Sequence, residues 1–177
     1  MVTSQEFSCA FVLNNDKKFL IWRHVCDDER EGEGDHDKVI ADSCGHIPIF
    51  RALDEVQDYA RLHELNVDCS SEGSCNFDVV IRSLRRSRPK KMPCEELLEV
   101  WNLLGDVSRT VGGNFDPDRE RTDRLYGKAF WGSNIPALTP PGCHFEPVWT
   151  RRDLRLLRET FAVGLGIFRE HTRLWKT

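Results

Sequence analysis

The spacing of apolar and polar positions divides the chain into a strand-rich beginning and a helical remainder. Residues 7–13 and 18–25 are short, apolar and rich in β-forming side chains, and an Asn-Asn-Asp-Lys stretch that tolerates turn geometry separates them. This pattern predicts a β-hairpin. Residues 38–43 and 46–50 are typical of further strands, and Pro48 favours an edge or a bulge because proline cannot donate to a ladder.

From about Leu53 the apolar spacing lengthens to that of helices. Five segments have this spacing, at about residues 53–65, 77–84, 93–111, 118–130 and 151–173. Thr150 and Asp153 form the pattern of a capping box at the start of the last helix, in which Gly164 and Gly166 indicate a close packing contact. The order of elements predicts an α+β fold, with a small N-terminal antiparallel β-meander packed with about five α-helices, mostly in the C-terminal half.

The chain of 177 residues fits one domain. A polar, Ser- and Gly-rich stretch at about 69–75 predicts a linker between a meander-plus-helix part, 1–68, and a helical part, 76–177. Residues 131–149 contain four prolines yet are too apolar for a mobile linker, so we expect an ordered, packed loop there.

Composition excludes several classes of protein. Hydrophobic residues make up 40% and charged residues 31%, which excludes a wholly disordered chain. No apolar run approaches the ~20 residues of a membrane-spanning helix. The N-terminal residues have neither a basic region nor an apolar core, so we expect no secretory signal, a cytoplasmic location and free thiols at the seven cysteines.

Charge is distributed unevenly along the sequence. Residues 1–80 carry 7 Lys and Arg against 17 Asp and Glu, whereas residues 81–177 carry 18 against 12. The acidic residues are densest in one stretch: Asp27, Asp28, Glu29, Glu31, Glu33, Asp35 and Asp37. This stretch is a solvated loop, a protein-binding surface or a metal site, although its spacing differs from an EF-hand loop. A basic partner would relieve the repulsion among its carboxylates.

Two short motifs suggest a zinc site. His24 and Cys26 lie on one predicted strand, and Cys44 and His46 precede another, so strand pairing would bring a tetrahedral set together. Single-residue spacing is unlike the usual zinc knuckles, however. The sequence therefore favours strand residues and a turn, and we expect no metal.

Catalytic motifs are absent from the sequence: it has no P-loop, no nucleophile elbow and no HExxH zinc motif. A small cytosolic enzyme would have to assemble its site from distant residues such as Cys143, His144 and Asp116. Cys69 and Cys75 flank the linker at a separation that would suit a small disulfide, which a reducing compartment disfavours.

Three segments carry a resemblance to a known class of proteins. They are GHIPIF at 45–50, LLEVWNLLGDV at 97–107 and FWGSNIPALTP at 130–140, the last followed by a long amphipathic helix. Together they resemble bacterial immunity proteins, the cytoplasmic antitoxins of contact-dependent growth inhibition and related polymorphic toxin systems. The resemblance implies a toxin inhibitor that binds one cognate toxin C-terminal domain, often a nuclease, and occludes its active or substrate-binding face. It implies no catalysis and no cofactor.

Immunity proteins diverge at their binding surfaces, so the resemblance transfers no site residues. A nuclease must bind a polyanion and tends to be basic, which makes the acidic stretch 27–37 the first candidate for toxin binding. Trp22 and a second acidic group at Asp54, Glu55 and Asp58 are further candidates. The expected partner is this basic toxin domain, with no membrane and no direct nucleic-acid contact. The alternatives are an enzyme, as above, and a nucleic-acid-associated protein using the basic segment 82–91.

Overall fold

A computed structural model describes residues 2–27, 37–70, 73–86, 91–115 and 119–176, and it has an α+β fold. The strands are β1 (Val2–Leu13), β2 (Asp16–Asp27), β3 (Lys38–Val39), β4 (Ile47–Ile49), β5 (Val67–Asp68), β6 (Ser74–Asn76) and β7 (Thr172–Leu174). The helices are α1 (Leu53–Leu62), α2 (Phe77–Arg85), α3 (Cys94–Val111), α4 (Arg119–Gly132) and α5 (Arg151–His171). The predicted antiparallel N-terminal sheet and the mostly C-terminal helices are confirmed.

The hairpin between β1 and β2 turns on two asparagines. Asn14 and Asn15 both have a φ of 58°, the left-handed conformation that Asn tolerates better than most residues. The Asp78 carboxylate accepts hydrogen bonds from their backbone N–H groups, at 2.9 Å from Asn14 and 2.6 Å from Asn15. The turn is therefore fixed to the first turn of α2 as well as by the sheet.

The sheet has the order β3-β2-β1-β5, and β6 also pairs with β1. Strands β1, β2 and β3 are antiparallel, whereas β5 and β6 run parallel to β1. The predicted linker at 69–75 thus leads into a strand of the sheet. A second, two-stranded ladder joins β4 to β7, so α5 ends at His171 and not near residue 173, because the chain there pairs with β4.

Helices cover both faces of the sheet. Leu20 and Trp22 belong to the main hydrophobic core with α2, α3 and α5, whereas Phe19 and Ile21 pack with Tyr59 of α1 in a smaller core. This alternation is the period of two expected for a strand with apolar contacts on both sides. Residues of β2 one position apart therefore face different helices.

Helix α3 lies at the centre of the main core. Sequence spacing predicts one apolar stripe through Leu97, Trp101 and Leu104, and these residues are buried. Val100 and Leu103, outside that stripe, are also 0% exposed. The reason is that α3 contacts β3 and β6 as well as α2, α4 and α5, so more than one of its faces is covered.

The start of α5 is clamped to α4. Asp153 and Thr150 form the predicted capping box, and the Asp153 carboxylate also binds Arg124 Nη2 at 2.6 Å and Lys128 Nζ at 2.8 Å. Burial by itself would raise the pKa of Asp153, but the hydrogen bonds from Lys128 and Thr150 outweigh it and hold the pKa at about 2. The carboxylate is therefore charged at neutral pH and joins the two helices.

The two glycines of α5 have different surroundings. A Cβ on Gly164 would lie 2.6 Å from the Phe115 ring and 2.8 Å from Leu104 Cδ1, so Gly164 permits the close approach of α5 to α3 that the sequence predicts. A Cβ on Gly166 would meet nothing within 4 Å. Only the first glycine marks a packing contact.

In the part of the chain that the structure describes, no helix combines the length and the apolar character needed to cross a bilayer.

Gly164→Ala and Gly166→Ala should change stability in opposite directions. The first overpacks the α3–α5 contact and should lower the free energy of unfolding by about 1–3 kcal/mol. The second removes backbone freedom from the unfolded chain without a clash and should raise it by about 0.5–1 kcal/mol. Urea denaturation of both variants measures the difference, and equal effects at the two positions would contradict the close α3–α5 contact.

Candidate protein-binding surface

The acidic stretch connects β2 to β3. Because these strands are antiparallel, the stretch leaves and re-enters the sheet at the same end, after Asp27 and before Lys38. Asp28, Glu29, Glu31, Glu33 and Asp35 lie outside the described residues, so their candidate role stays a prediction.

Asp37, at the return to β3, is tied to two other elements. Its carboxylate lies 2.6 Å from His24 Nδ1 on β2. Its backbone carbonyl accepts a hydrogen bond of 2.8 Å from Arg109 Nη1 on α3. The acidic stretch therefore ends at a point that β2 and α3 fix together.

Beside Asp37 lies an open cleft of about 750 Å³. Its walls come from β2, the C-terminal half of α3, the residues that follow α3, and α4. The side chains that give it its character are Trp22, Trp101, Tyr126, Asp37, Asp106 and Arg109. Trp22 and Asp37, which the sequence predicts as binding residues, therefore line the same cleft. Aromatic walls beside carboxylates suit the side chains of a basic protein surface.

Asp106 is the buried charge of the cleft. Its side chain is 9% exposed, and Arg109 Nη1 lies 2.5 Å from its Oδ1. Burial raises the pKa of Asp106 to about 6, the hydrogen bond from Arg109 lowers it in part, and the nearby Asp37 raises it. Trp22 is near enough to lower this pKa slightly, yet its buried Nε1 has no hydrogen bond of normal geometry.

The second acidic group lies elsewhere. Asp54, Glu55 and Asp58 belong to α1, which packs on the other face of β2 from the main core and Trp22. The Glu55 carboxylate accepts a hydrogen bond of 2.7 Å from the backbone N–H of Arg51, and Asp58 pairs with Arg61. The structure therefore does not bring this group together with Trp22 and Asp37.

The four residues of the suggested zinc set have separate surroundings where they are described. His24 contacts Asp37, His46 Nδ1 lies 3.8 Å from Asp42, and Cys44 is exposed. The Cys26 side chain lies outside the described part. Within the described ranges, no three His, Cys, Asp or Glu side chains are placed to share a metal ion.

The remaining cysteine candidates also differ from the sequence pattern. Cys143 is exposed, and His144 Nε2 lies 3.8 Å from Glu146 Oε1, while Asp116 lies outside the described residues. Cys75 faces Cys9 of β1 with 4.0 Å between their sulfurs, not Cys69. Cys69 and Cys75 are both free thiols, and β6 pairs with β1 and turns Cys75 into the core.

Residues 87–90 of the basic segment 82–91 lie outside the described residues, but its described part meets, at Leu84 and Arg86, a second basic stretch that the sequence analysis missed. Arg158 of α5 donates hydrogen bonds to the backbone carbonyls of Leu84, at 2.5 Å, and Arg86, at 3.1 Å. Arg151 and Arg155 precede it at helical spacing and border a shallow hollow with it. The sequence signal for this second basic stretch was the i, i+4, i+7 spacing of its arginines. These arginines begin sixty residues after the end of the basic segment, so nothing in the sequence connects the two.

The fold is similar to that of the C-terminal domain of SatS, a crystal structure determined in complex with bromine. The two have a TM-score of 0.53 at 11% sequence identity, over 96% of this chain and 94% of that one. At this identity the likeness extends to the fold alone. No protein-family model matches the sequence, and no curated protein matches it significantly.

Asp106→Asn should change the pH dependence of stability. The folded chain holds the Asp106 proton more tightly than the unfolded chain, since burial raises the pKa from 3.8 to about 6. The stabilising contribution of the Asp106 carboxyl is complete below pH 3.8 and is lost as the pH rises through about 6. Relative to the wild type, the variant's free energy of unfolding should therefore rise between pH 4 and pH 7, by on the order of 2 kcal/mol.

Asp153→Asn is a control for which the stability difference from the wild type should depend on pH in the opposite direction. The pKa of Asp153 is held at about 2, so its contribution is present above its usual value of 3.8 and is lost as the pH falls through 2. The deficit of this variant should shrink on acidification. Urea denaturation across the pH range measures both, and a constant offset for Asp106→Asn from pH 4 to pH 7 would show that its carboxyl is not perturbed.

Proposed function

We propose that this chain is a cytoplasmic immunity protein, which binds a cognate toxin domain stoichiometrically and occludes its active or substrate-binding face. The toxin domain is basic, as a nuclease that grips a polyanion would be. The chain acts by complementary charge and shape, and it contributes no catalytic step and no cofactor. The resemblance of the 45–50, 97–107 and 130–140 segments to such antitoxins is the starting point of this proposal.

The observation that carries the proposal is the position of Asp37, the last residue of the acidic stretch. Strand β2 ends at Asp27, and Asp37, directly before β3, lines the cleft. The described charges in the cleft walls are Asp37, Asp106 and Asp123 against Arg109, which gives the cleft walls a negative potential. Such a potential raises the rate of encounter with a basic protein surface.

The cleft also provides aromatic side chains that are held in place by contacts with other rings. Trp22 stacks on Phe7 with 5.9 Å between ring centroids, and Trp101 is held by edge contacts to Tyr126 and Phe161. Aromatic rings fixed in this way lose little entropy when a partner binds. We expect the acidic stretch to govern association and the partly exposed Trp22, supported by the buried aromatic residues behind the cleft, to govern residence time.

The test begins with the reading frame next to this gene. If it encodes a large secreted protein with a variable C-terminal domain, that domain should kill cells that lack this chain and spare cells that express it. The purified pair should form a 1:1 complex in sedimentation experiments. Equal killing with and without this chain, or turnover of a small molecule by the purified chain, would contradict the proposal.

Neutralising three carboxylates tests the acidic stretch. We expect the variant Glu31→Gln, Glu33→Gln, Asp35→Asn to associate about 5–10-fold more slowly at about 50 mM salt, with the difference shrinking at about 300 mM as charges are screened. Surface plasmon resonance with the toxin domain measures both rates.

The matched control removes the same charge from the other face of the sheet. The variant Asp54→Asn, Glu55→Gln, Asp58→Asn should change the association rate less than about twofold at either salt concentration. If the two variants slow association equally, overall charge and not the acidic stretch steers the encounter.

A second candidate function is contact with nucleic acid. The hydrogen bonds of Arg158 to the carbonyls of Leu84 and Arg86 favour it, because they place the described beginning of the basic segment against the arginines of α5. Phosphate groups are the ligands such a surface would take.

Filter retention of duplex DNA and of RNA at about 50 mM salt tests this second function. Arg151→Gln with Arg155→Gln should weaken binding about tenfold or more and lower the salt slope by about two, since each arginine neutralises one phosphate. Arg169→Gln with Arg173→Gln, at the other end of α5, is the control and should have little effect. Failure of the unmodified chain to retain either probe would eliminate this function.

A further inference from the structure

The end of α4 and its connection to α5 expose an unusual number of large apolar side chains. Trp131 is 52% exposed, Ile135 36%, Leu138 54%, Phe145 55% and Val148 78%. Apolar side chains exposed singly are ordinary, whereas several within one short segment mark an interaction surface. The sequence analysis predicts an ordered loop here but gives no reason to expect its apolar residues outside the core.

This loop has a defined conformation. Asn134 Oδ1 accepts a hydrogen bond of 2.6 Å from the backbone N–H of Phe145, and Asn134 Nδ2 donates to the carbonyls of Phe145 and Gly132. Lys128 Nζ donates to the carbonyl of Val148 at 2.8 Å. Hydrogen bonds therefore hold the two ends of the loop together, and the exposed side chains project from a backbone of defined conformation. A preformed surface loses less entropy on binding than a mobile one.

The loop also packs closely on the start of α3. A Cβ on Gly132 would lie 2.7 Å from Cys94 Sγ and 2.7 Å from Pro147 Cγ, so only glycine allows this approach. The result is a groove of about 720 Å³. Residues 91–96 form one wall and residues 144–149 the other, with residues 132–134 between them. This volume lies within the ordinary range of ligand sites, about 300–1,000 Å³.

The rim of the groove is acidic. Glu95, Glu96 and Glu146 border it, against the single described lysine, Lys91. Burial raises the pKa of the nearby Glu99, and the like charges of Glu95 and Glu96 raise it further. A cationic group at the rim would relieve this repulsion.

We propose that this groove binds a polypeptide segment of a partner protein, whose apolar side chains seat against Phe145 and Val148 and whose Lys or Arg side chains face the glutamates. The exposed side chains of Phe145 and Val148 and the three glutamates together define the partner's chemistry. A second copy of this chain fits less well, because a symmetric dimer through this face would set the acidic rim against itself. The groove lies at the Cys94 end of α3, whereas the cleft with Asp106 lies towards its other end, so this is a separate site.

Three fluorescently labelled probe peptides test the proposal with the intact chain. The first contains two Phe and three Lys, the second has Glu in place of Lys, and the third has Ser in place of Phe. Fluorescence anisotropy should give saturable binding of the first peptide and at least tenfold weaker binding of the other two. Equal binding of all three, or no binding of the first, would overturn the proposal.

Two variants locate the binding. Phe145→Ser with Val148→Ser should weaken binding of the first peptide at least tenfold, whereas Val163→Ser, which removes an exposed apolar side chain of α5, should leave it unchanged. Glu95→Gln with Glu96→Gln should reduce the preference for Lys over Glu peptides, and it keeps the apolar walls intact if the first variant fails to fold. Wild-type behaviour of both groove variants would overturn the proposal. So would a concentration-dependent dimer in sedimentation that Phe145→Ser converts to a monomer.

Discussion

The burial of α3 is the constraint on which the other elements depend. Val100, Leu103, Leu104 and Val107 have no exposed surface, and each such side chain contributes about 1.5–3 kcal/mol by its removal from water. The sheet and α2 cannot cover a helix that is apolar on more than one side. Helices α4 and α5 must therefore close over it, and Gly164 allows α5 to come near enough to do so.

The way α3 is covered also determines where its charged side chains can contribute to a binding surface. The middle of α3 is enclosed, so its charged residues lie towards the two ends of the helix. At one end Asp106 and Arg109 meet Asp37 and Trp22 from the sheet. At the other end the α4–α5 loop folds back on the start of the helix and forms the groove. The candidate surfaces are thus consequences of how one buried helix is covered.

The charge asymmetry of the sequence becomes a spatial asymmetry in the fold. Asp37, the last residue of the acidic stretch, contacts β2 and α3, whereas Arg158 of α5 donates to the carbonyls of Leu84 and Arg86 in the basic segment. Asp153 is fully buried between Arg124 and Lys128, so it offsets none of the exposed positive charge of α5. A molecule with this distribution offers different surfaces to basic and to acidic partners.

Local patterns in the sequence predicted the features that depend on near neighbours. The Asn14-Asn15 turn, the Thr150–Asp153 capping box and the α+β order follow from backbone preferences and apolar spacing, which act over a few residues. Contacts between distant segments had no such signal. The pairing of β6 with β1 put Cys75 against Cys9, the crossing of helices joined Arg158 to the carbonyl of Leu84, and the faces of β2 separated Trp22 from α1. Only the tertiary structure decided these, because burial selects pairings by the fit of whole surfaces, and that fit is not encoded in the spacing of any one segment.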